Sequence, residues 1–327
     1  MKVILAQQFN QQQDETRSLC FSQDGKILIS SDSYAIYIWQ YNKHGHWKLE
    51  NTLFFKAFLL HLASDGNIIA FRDESYLLQL ISSKDGRLLT TFPSSAPTDC
   101  AISADQNWLV TGEARRNIVF WNVKSRQSFS LPVPSQPFDD NPYSTRTDLY
   151  EETVSHFRLS PDGKQLVFRA SNEIGTPHVC QIDPLQQMMV LQKILPTIAL
   201  EIEMSRDGKK LAVFDGYGVV LYDLQTFQLL GKCPQPQEAS YGLIALSPDG
   251  EFLAVSRNDG LVDLWSLTTF KQVTSIEAHP GLVTYWSDPI GGLAWSSTGY
   301  LATGGASAFE SDLEKYDYTV KLWKVEM

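Results

Sequence analysis

The 327-residue chain is poor in the residues that mark a metal centre, a disulfide scaffold or a membrane span. Its four cysteines, Cys20, Cys100, Cys180 and Cys233, lie far apart with no Cys-x-x-Cys pair, so neither a zinc knuckle nor a disulfide framework is expected. They are expected to be small apolar fillers in a reducing compartment, which points to a cytoplasmic location. No apolar run approaches the length of a bilayer. The one at the N-terminus, Val3 to Ala6, is also too short for a secretory core. Basic residues are outnumbered 27 to 37, for a net charge of -10, which opposes non-specific attraction to nucleic acid and to anionic membranes. The six histidines are scattered. There is no Gly-x-Ser-x-Gly elbow, no His-Glu-x-x-His and no phosphate-cradling glycine loop ahead of a helix. Asp139-Asp140-Asn141 lacks the spacing and distal glutamate of a calcium loop. No metal and no cofactor are expected.

What is present is a repeat. The tetrapeptide Ser-x-Asp-Gly, intact or worn, recurs between short apolar runs. It stands at Ser22 to Gly25, Ala63 to Gly66, Ser103 to Gln106, Ser160 to Gly163, Ser205 to Gly208, Ser247 to Gly250 and Ser296 to Gly299. Steps of about 40 to 45 residues predict four-stranded units that must stack on neighbours to bury both faces. Seven such units predict an all-β, seven-bladed propeller over 1-327, built as one domain, with hardly any helix. Repeat six shows the unit. Leu243 to Leu246 reads as an inner strand, Phe252 to Ser256 and Leu261 to Leu267 as the next two, and Lys271 to Glu277 as the outer one.

The third strands share a register mark, a large or apolar residue after a Val-x-Leu-like triplet: Trp39, Ile81, Trp121, Cys180, Tyr222, Trp265 and Trp323. With the stretches LSPDGEFLAVSRNDGLVDLWSL and YDYTVKLWKV, the chain resembles the WD-repeat family of β-propellers. It departs from the family after the third-strand mark. There an Asp is favoured, yet the chain has Gln40, Ser82, Asn122, Gln181, Asp223, Ser266 and Lys324. The family's Gly-His step survives best as Ala278-His279-Pro280-Gly281. The resemblance implies a buried hydrogen-bond relay among His279, Thr303, Asp317 and Trp323. It also implies a binding role for the ring without naming the partner.

The sequence ends on a third strand, Val320 to Val325. Residues 2-9 are therefore expected to supply the outer strand of blade seven and close the ring. Three stretches exceed the repeat: 131-153, 278-289 and 305-317. Antiparallel strands reverse direction, so interblade links and second turns leave from one rim, and all three insertions should share it. They carry Tyr143, Tyr150, Tyr285, Trp286, Phe309 and Tyr316 among acids, including Asp139, Asp140, Asp148, Glu151 and Glu152 against Arg146. That mixture predicts a non-catalytic scaffold docking a basic or amphipathic protein, with a monomeric ring as the working unit. A lid that caps the ring is the bland alternative. An enzyme of hydrolase or lactonase type, with its site at the channel mouth, is the competing functional reading. On the inner strands, Cys20, His61, Ala101, Arg158, Glu203, Ala245 and Ala294 hold equivalent positions. Arg158 and Glu203 fall in consecutive repeats and are expected to pair between blades.

Overall fold

In the computed structural model the Ser-x-Asp-Gly turns close through one set of hydrogen bonds. The seryl hydroxyl donates to the aspartate, Ser22 to Asp24 and Ser160 to Asp162, each at 2.6 Å. The same hydroxyl oxygen accepts the amide that opens the next strand, from Ile27 at 2.9 Å and Gln165 at 2.8 Å. The carboxylate accepts a second amide, from Lys26 or Lys164. The last residue is left-handed, with φ of 68° at Gly25 and 67° at Gly163, where a Cβ is strained and glycine is not. Gln106 holds that place in blade three at φ 59° and bears the strain.

The structure describes residues 1-43, 45-54, 57-64, 68-73, 75, 77-93, 99-113, 117-134, 153-171, 175-279, 289-306 and 317-326; for 57-64, 153 and 171 it describes the backbone alone. The described strands form seven antiparallel sheets of four. Blade four runs outward through Thr153–Leu159, Gln165–Ser171, Thr176–Asp183 and Met188–Ile194, and blade five through Glu201–Met204, Lys210–Phe214, Gly218–Asp223 and Leu229–Pro234. Inner strands pack side by side in chain order, and Ile290–Trp295 of blade seven meets Ser18–Phe21 of blade one. The ring is closed. No helix among the described residues is long and apolar enough to cross a membrane.

The core lies between blades. Each third-strand mark sits opposite a fully buried Leu or Ile of the second strand: Trp39 faces Leu28, Trp121 faces Leu109, Cys180 faces Leu166, Tyr222 faces Leu211 and Trp323 faces Leu301. One cluster joins Val167 and Val179 of blade four to Ile202, Leu211 and Val213 of blade five. Removing such a side chain from water contributes about 1.5–3 kcal/mol, so the stack of neighbours, rather than any single sheet, holds the fold.

Closure falls to the N-terminal strand. Lys2–Phe9 pairs antiparallel with Val320–Glu326, from Lys2 opposite Glu326 to Phe9 opposite Val320. Phe9 is buried and stacks on Trp39 of blade one with ring centroids 4.0 Å apart. Gln7 reaches the same neighbour, its side-chain amide donating to the Trp47 carbonyl at 2.8 Å and its oxygen accepting the Trp47 amide at 3.2 Å. The link into blade one then presses on blade seven. A Cβ at Gly291 would lie 1.8 Å from the Thr16 carbonyl oxygen, so glycine is what permits that approach.

Candidate protein-docking rim

With every sheet antiparallel, the interblade links and second turns leave from one rim and the Ser-x-Asp-Gly turns from the other. The described stems of all three insertions, at 134 and 153, 279 and 289, and 306 and 317, lie on the first rim. Tyr143, Tyr150, Tyr285, Trp286, Phe309 and Tyr316 fall outside the described residues. The structure brings together the stems of the second and third insertions, and it is there that the relay lies.

His279 is 1% exposed, at the start of the second insertion, and its Nδ1 is 3.0 Å from Asp317 Oδ2 at the end of the third. Its Nε2 is 2.9 Å from Thr303 Oγ1, which also accepts the indole N–H of Trp323 at 3.0 Å. The tautomer follows from the partners. Trp323 can only donate, leaving the Thr303 hydroxyl to donate to Nε2, and the Asp317 carboxylate can only accept, so Nδ1 carries the proton. Lys321 donates to Asp317 at 2.6 Å and to the Ala278 carbonyl at 2.7 Å. The amide of Ala306 donates to the Pro289 carbonyl at 2.9 Å. The relay and this bond tie the stems of 278-289 and 305-317 into one base. Burial pushes the His279 imidazole down, toward the neutral form the relay requires. Burial also opposes ionisation of Asp317, but hydrogen bonds from His279, Lys321 and Thr319 override it and hold the carboxyl well below its usual range.

Sequence reading missed related devices in other blades. Gln12 stands in blade one where histidine stands in blade seven, donating to Ser30 Oγ at 2.8 Å while Trp39 donates to the same oxygen at 2.9 Å. In blade three Trp121 donates to Thr111 at 3.0 Å. In blade six the Trp265 indole reaches Tyr241 Oη at 3.1 Å, and that hydroxyl lies 3.2 Å from buried Asp263. A sequence signal did exist for three blades. Ser30, Thr111 and Thr303 each lie opposite the residue two before the third-strand tryptophan. The hydroxyl is the invariant of the geometry and the imidazole is replaceable.

Arg158 and Glu203 meet between blades four and five, Nε to Oε2 at 2.8 Å. The pair belongs to a larger group. Arg158 also approaches Glu201 at 3.5 Å and donates to the Phe157 carbonyl at 3.0 Å, and His156 lies 3.4 Å from Glu201. His156 sits in a bulge of its strand at φ 56°. Arg158, Glu201 and Glu203 line part of the central channel, a cavity of about 490 Å³ whose other walls include Cys20, Cys100, Ala245 and Ala294. Burial pushes the Cys100 thiol far up, so it is not a thiolate. On the rim of the Ser-x-Asp-Gly turns, Arg206 of blade five reaches across to the Gln23 carbonyl of blade one. Among the described residues no group of three or more His, Cys, Asp or Glu is placed to hold a metal ion.

Repeat and ring define the class, a seven-bladed β-propeller. Residues 5–40 and 86–122 match the family model described as "WD domain, G-beta repeat", between them under a quarter of the chain. Each match takes the outer strand of one blade with the three inner strands of the next, so the sequence repeat laces neighbouring blades together. Those two segments and the seven-fold ring make the chain similar to the WD-repeat β-propellers. Among solved structures it is similar to the β-propeller domain of Cps50 (Swd1) from Myceliophteria thermophila, with a TM-score of 0.75 and 15% identity over 99% of this chain and 100% of that one. That likeness shows the fold. No curated protein matches. WD-repeat propellers typically act as protein-interaction scaffolds and are in general not catalysts.

Proposed function

We propose that the chain is a non-catalytic scaffold that docks a protein partner on the rim bearing 131-153, 278-289 and 305-317, with Tyr143, Tyr150, Tyr285, Trp286, Phe309 and Tyr316 as its contacts. One observation carries the reading: three independent departures from the repeat leave from the same rim, and loops on a rigid scaffold are preferred binding sites. Charge supports it. The first insertion holds five acids against Arg146, the third four against Lys315, and the second adds Asp288, so these segments account for -8 of the chain's -10. Such a field favours a basic partner. The ring acts as a monomer in the cytoplasm, a reading supported by four free cysteines, three of them buried.

The test is affinity capture with the intact ring beside a variant in which 131-153 is shortened to the length of the other links. Selective loss of a partner supports the docking rim, and undiminished capture overturns it. The channel favours one other reading, an enzyme with its site at the channel mouth, because a cavity of about 490 Å³ lined by Arg158, Glu201 and Glu203 has the size of a small-molecule site. Turnover of an ester or lactone panel, abolished by Arg158→Met, would select that reading instead.

A further inference from the structure

We infer that blade five presents, on the insertion-bearing rim, a docking surface for a basic amphipathic polypeptide segment. The inference rests on the proposal that partners dock on this rim, and places the contact on the blade itself. Ile198 and Leu200 come from the link between blades four and five and Tyr217 from the second turn of blade five. They are 38%, 46% and 76% exposed. Singly exposed apolar residues are ordinary, but these three sit on fixed backbone, two on one link and the third next to Gly216, which Leu200 approaches. Ala199, between the first two, is buried and donates its amide to the Gly175 carbonyl at 2.8 Å, and Leu200 donates to Phe214 at 2.8 Å. Every second side chain is thereby turned outward. Leu200 then lies against Gly216, where an added Cβ would come within 3.3 Å of its Cδ1.

The turn that presents Tyr217 is equally fixed. Asp215 Oδ1 accepts the Tyr217 amide at 2.8 Å, and the Tyr217 carbonyl accepts the Gln235 amide at 3.1 Å. The ring is thus displayed by a pinned backbone, the arrangement in which an aromatic contributes most at an interface because little entropy is lost on binding.

Charge chooses the occupant. The insertions whose stems leave from this rim carry -8 of the chain's -10, and Glu238 is exposed in the link that follows blade five. Lys232, a basic residue beside Gly218, is already paired with Asp215 at 2.9 Å. A segment with one or two large apolar side chains flanked by Lys or Arg meets both demands, its apolar residues on Leu200 and Ile198 and a cation over the Tyr217 ring. An acidic or neutral apolar segment would meet only the first.

The experiment selects a random-peptide phage library on the full chain and measures the enriched peptides by fluorescence anisotropy. Peptides of net positive charge with a large apolar residue are expected. Their affinity should fall roughly tenfold or more for Ile198→Ser/Leu200→Ser/Tyr217→Ala, and should weaken as salt rises. Enrichment of acidic or neutral peptides, no enrichment at all, or equal binding to that variant overturns the inference. A parallel variant, Tyr285→Ala/Trp286→Ala/Tyr316→Ala, separates the two proposals. Peptides lost from it and kept by the blade-five variant leave the rim as the docking face and remove the blade-five site, whereas peptides kept by both variants remove both. Two further results also overturn the inference: a lower melting temperature of the blade-five variant, which would mean that the patch packs under this chain's own loops, and a dimer that this variant abolishes.

Discussion

Arg158 and Glu203 hold equivalent positions on the innermost strands of adjacent blades and meet at 2.8 Å, with Glu201 a second acid on the same guanidinium. Their environments are unequal, so their replacements should be too. Arg158→Met leaves two acids together without their cation, and about 2–3 kcal/mol of stability is expected to be lost. Glu203→Gln leaves Arg158 still partnered by Glu201 and should cost about 1 kcal/mol. In the double variant the losses should fall short of their sum, because the two side chains share one interaction. Urea unfolding of the four proteins measures the cycle, and strictly additive losses would show that the contact contributes nothing.

Ring closure predicts that a single residue of the N-terminal strand matters to two blades. Phe9→Ala removes the ring stacked on Trp39 and opens the seam between blades seven and one, at about 3 kcal/mol. Deleting the first nine residues should lower the melting temperature of the whole ring, since it strips the outer strand from Val320–Glu326. A truncated chain that melts like the parent would refute the role of that strand.

The relay predicts acid sensitivity. His279 and Asp317 are both shifted down in the folded protein, from ordinary values of 6.5 and 3.8, so the unfolded chain takes up each proton first. Stability is therefore complete above the unfolded values and is lost as pH falls, first below about 6.5 through His279 and then below about 3.8 through Asp317. A single proton contributes at most about 1.4 kcal/mol per pH unit. Melting curves between pH 8 and 5 should fall more steeply for the parent than for His279→Gln, a change that copies the Gln12 solution of blade one. Parallel slopes would place the acid sensitivity elsewhere.

Gln106 predicts a stabilising substitution. It occupies the left-handed turn position that Gly25, Gly163, Gly208 and Gly250 fill in other blades. Gln106→Gly should relieve the strain and, after the glycine's extra chain entropy, stabilise by about 0.5–1 kcal/mol. A rise of a few degrees in melting temperature is expected, and a fall would show that the Gln106 side chain contributes more than its backbone costs.

Trp286 separates docking from capping. Under the docking proposal Trp286→Ala weakens partner capture and leaves the melting temperature nearly unchanged. A lid would give the opposite result, a clear fall in melting temperature with capture retained.

The order of elements was legible from the sequence because it rests on local chemistry. A Ser-x-Asp-Gly turn closes on its own hydroxyl, carboxylate and left-handed glycine, and the third-strand mark finds its Leu or Ile partner through hairpin register alone. Closure was legible too, since a strand was needed after Val320 and residues 2-9 could form one. The tertiary structure alone decided how the ring uses side chains whose partners lie far along the chain. Gln12 is one more glutamine in a polar run until folding sets it beside Ser30 and Trp39. Arg158 gains its second acid only because Glu201 and Glu203 emerge from the next blade. Leu200 is set beside Gly216, next to Tyr217, only when the link before blade five folds onto that blade's second turn. Local periodicity fixes strands and turns, whereas chemistry that depends on nonlocal neighbours is set when the blades pack.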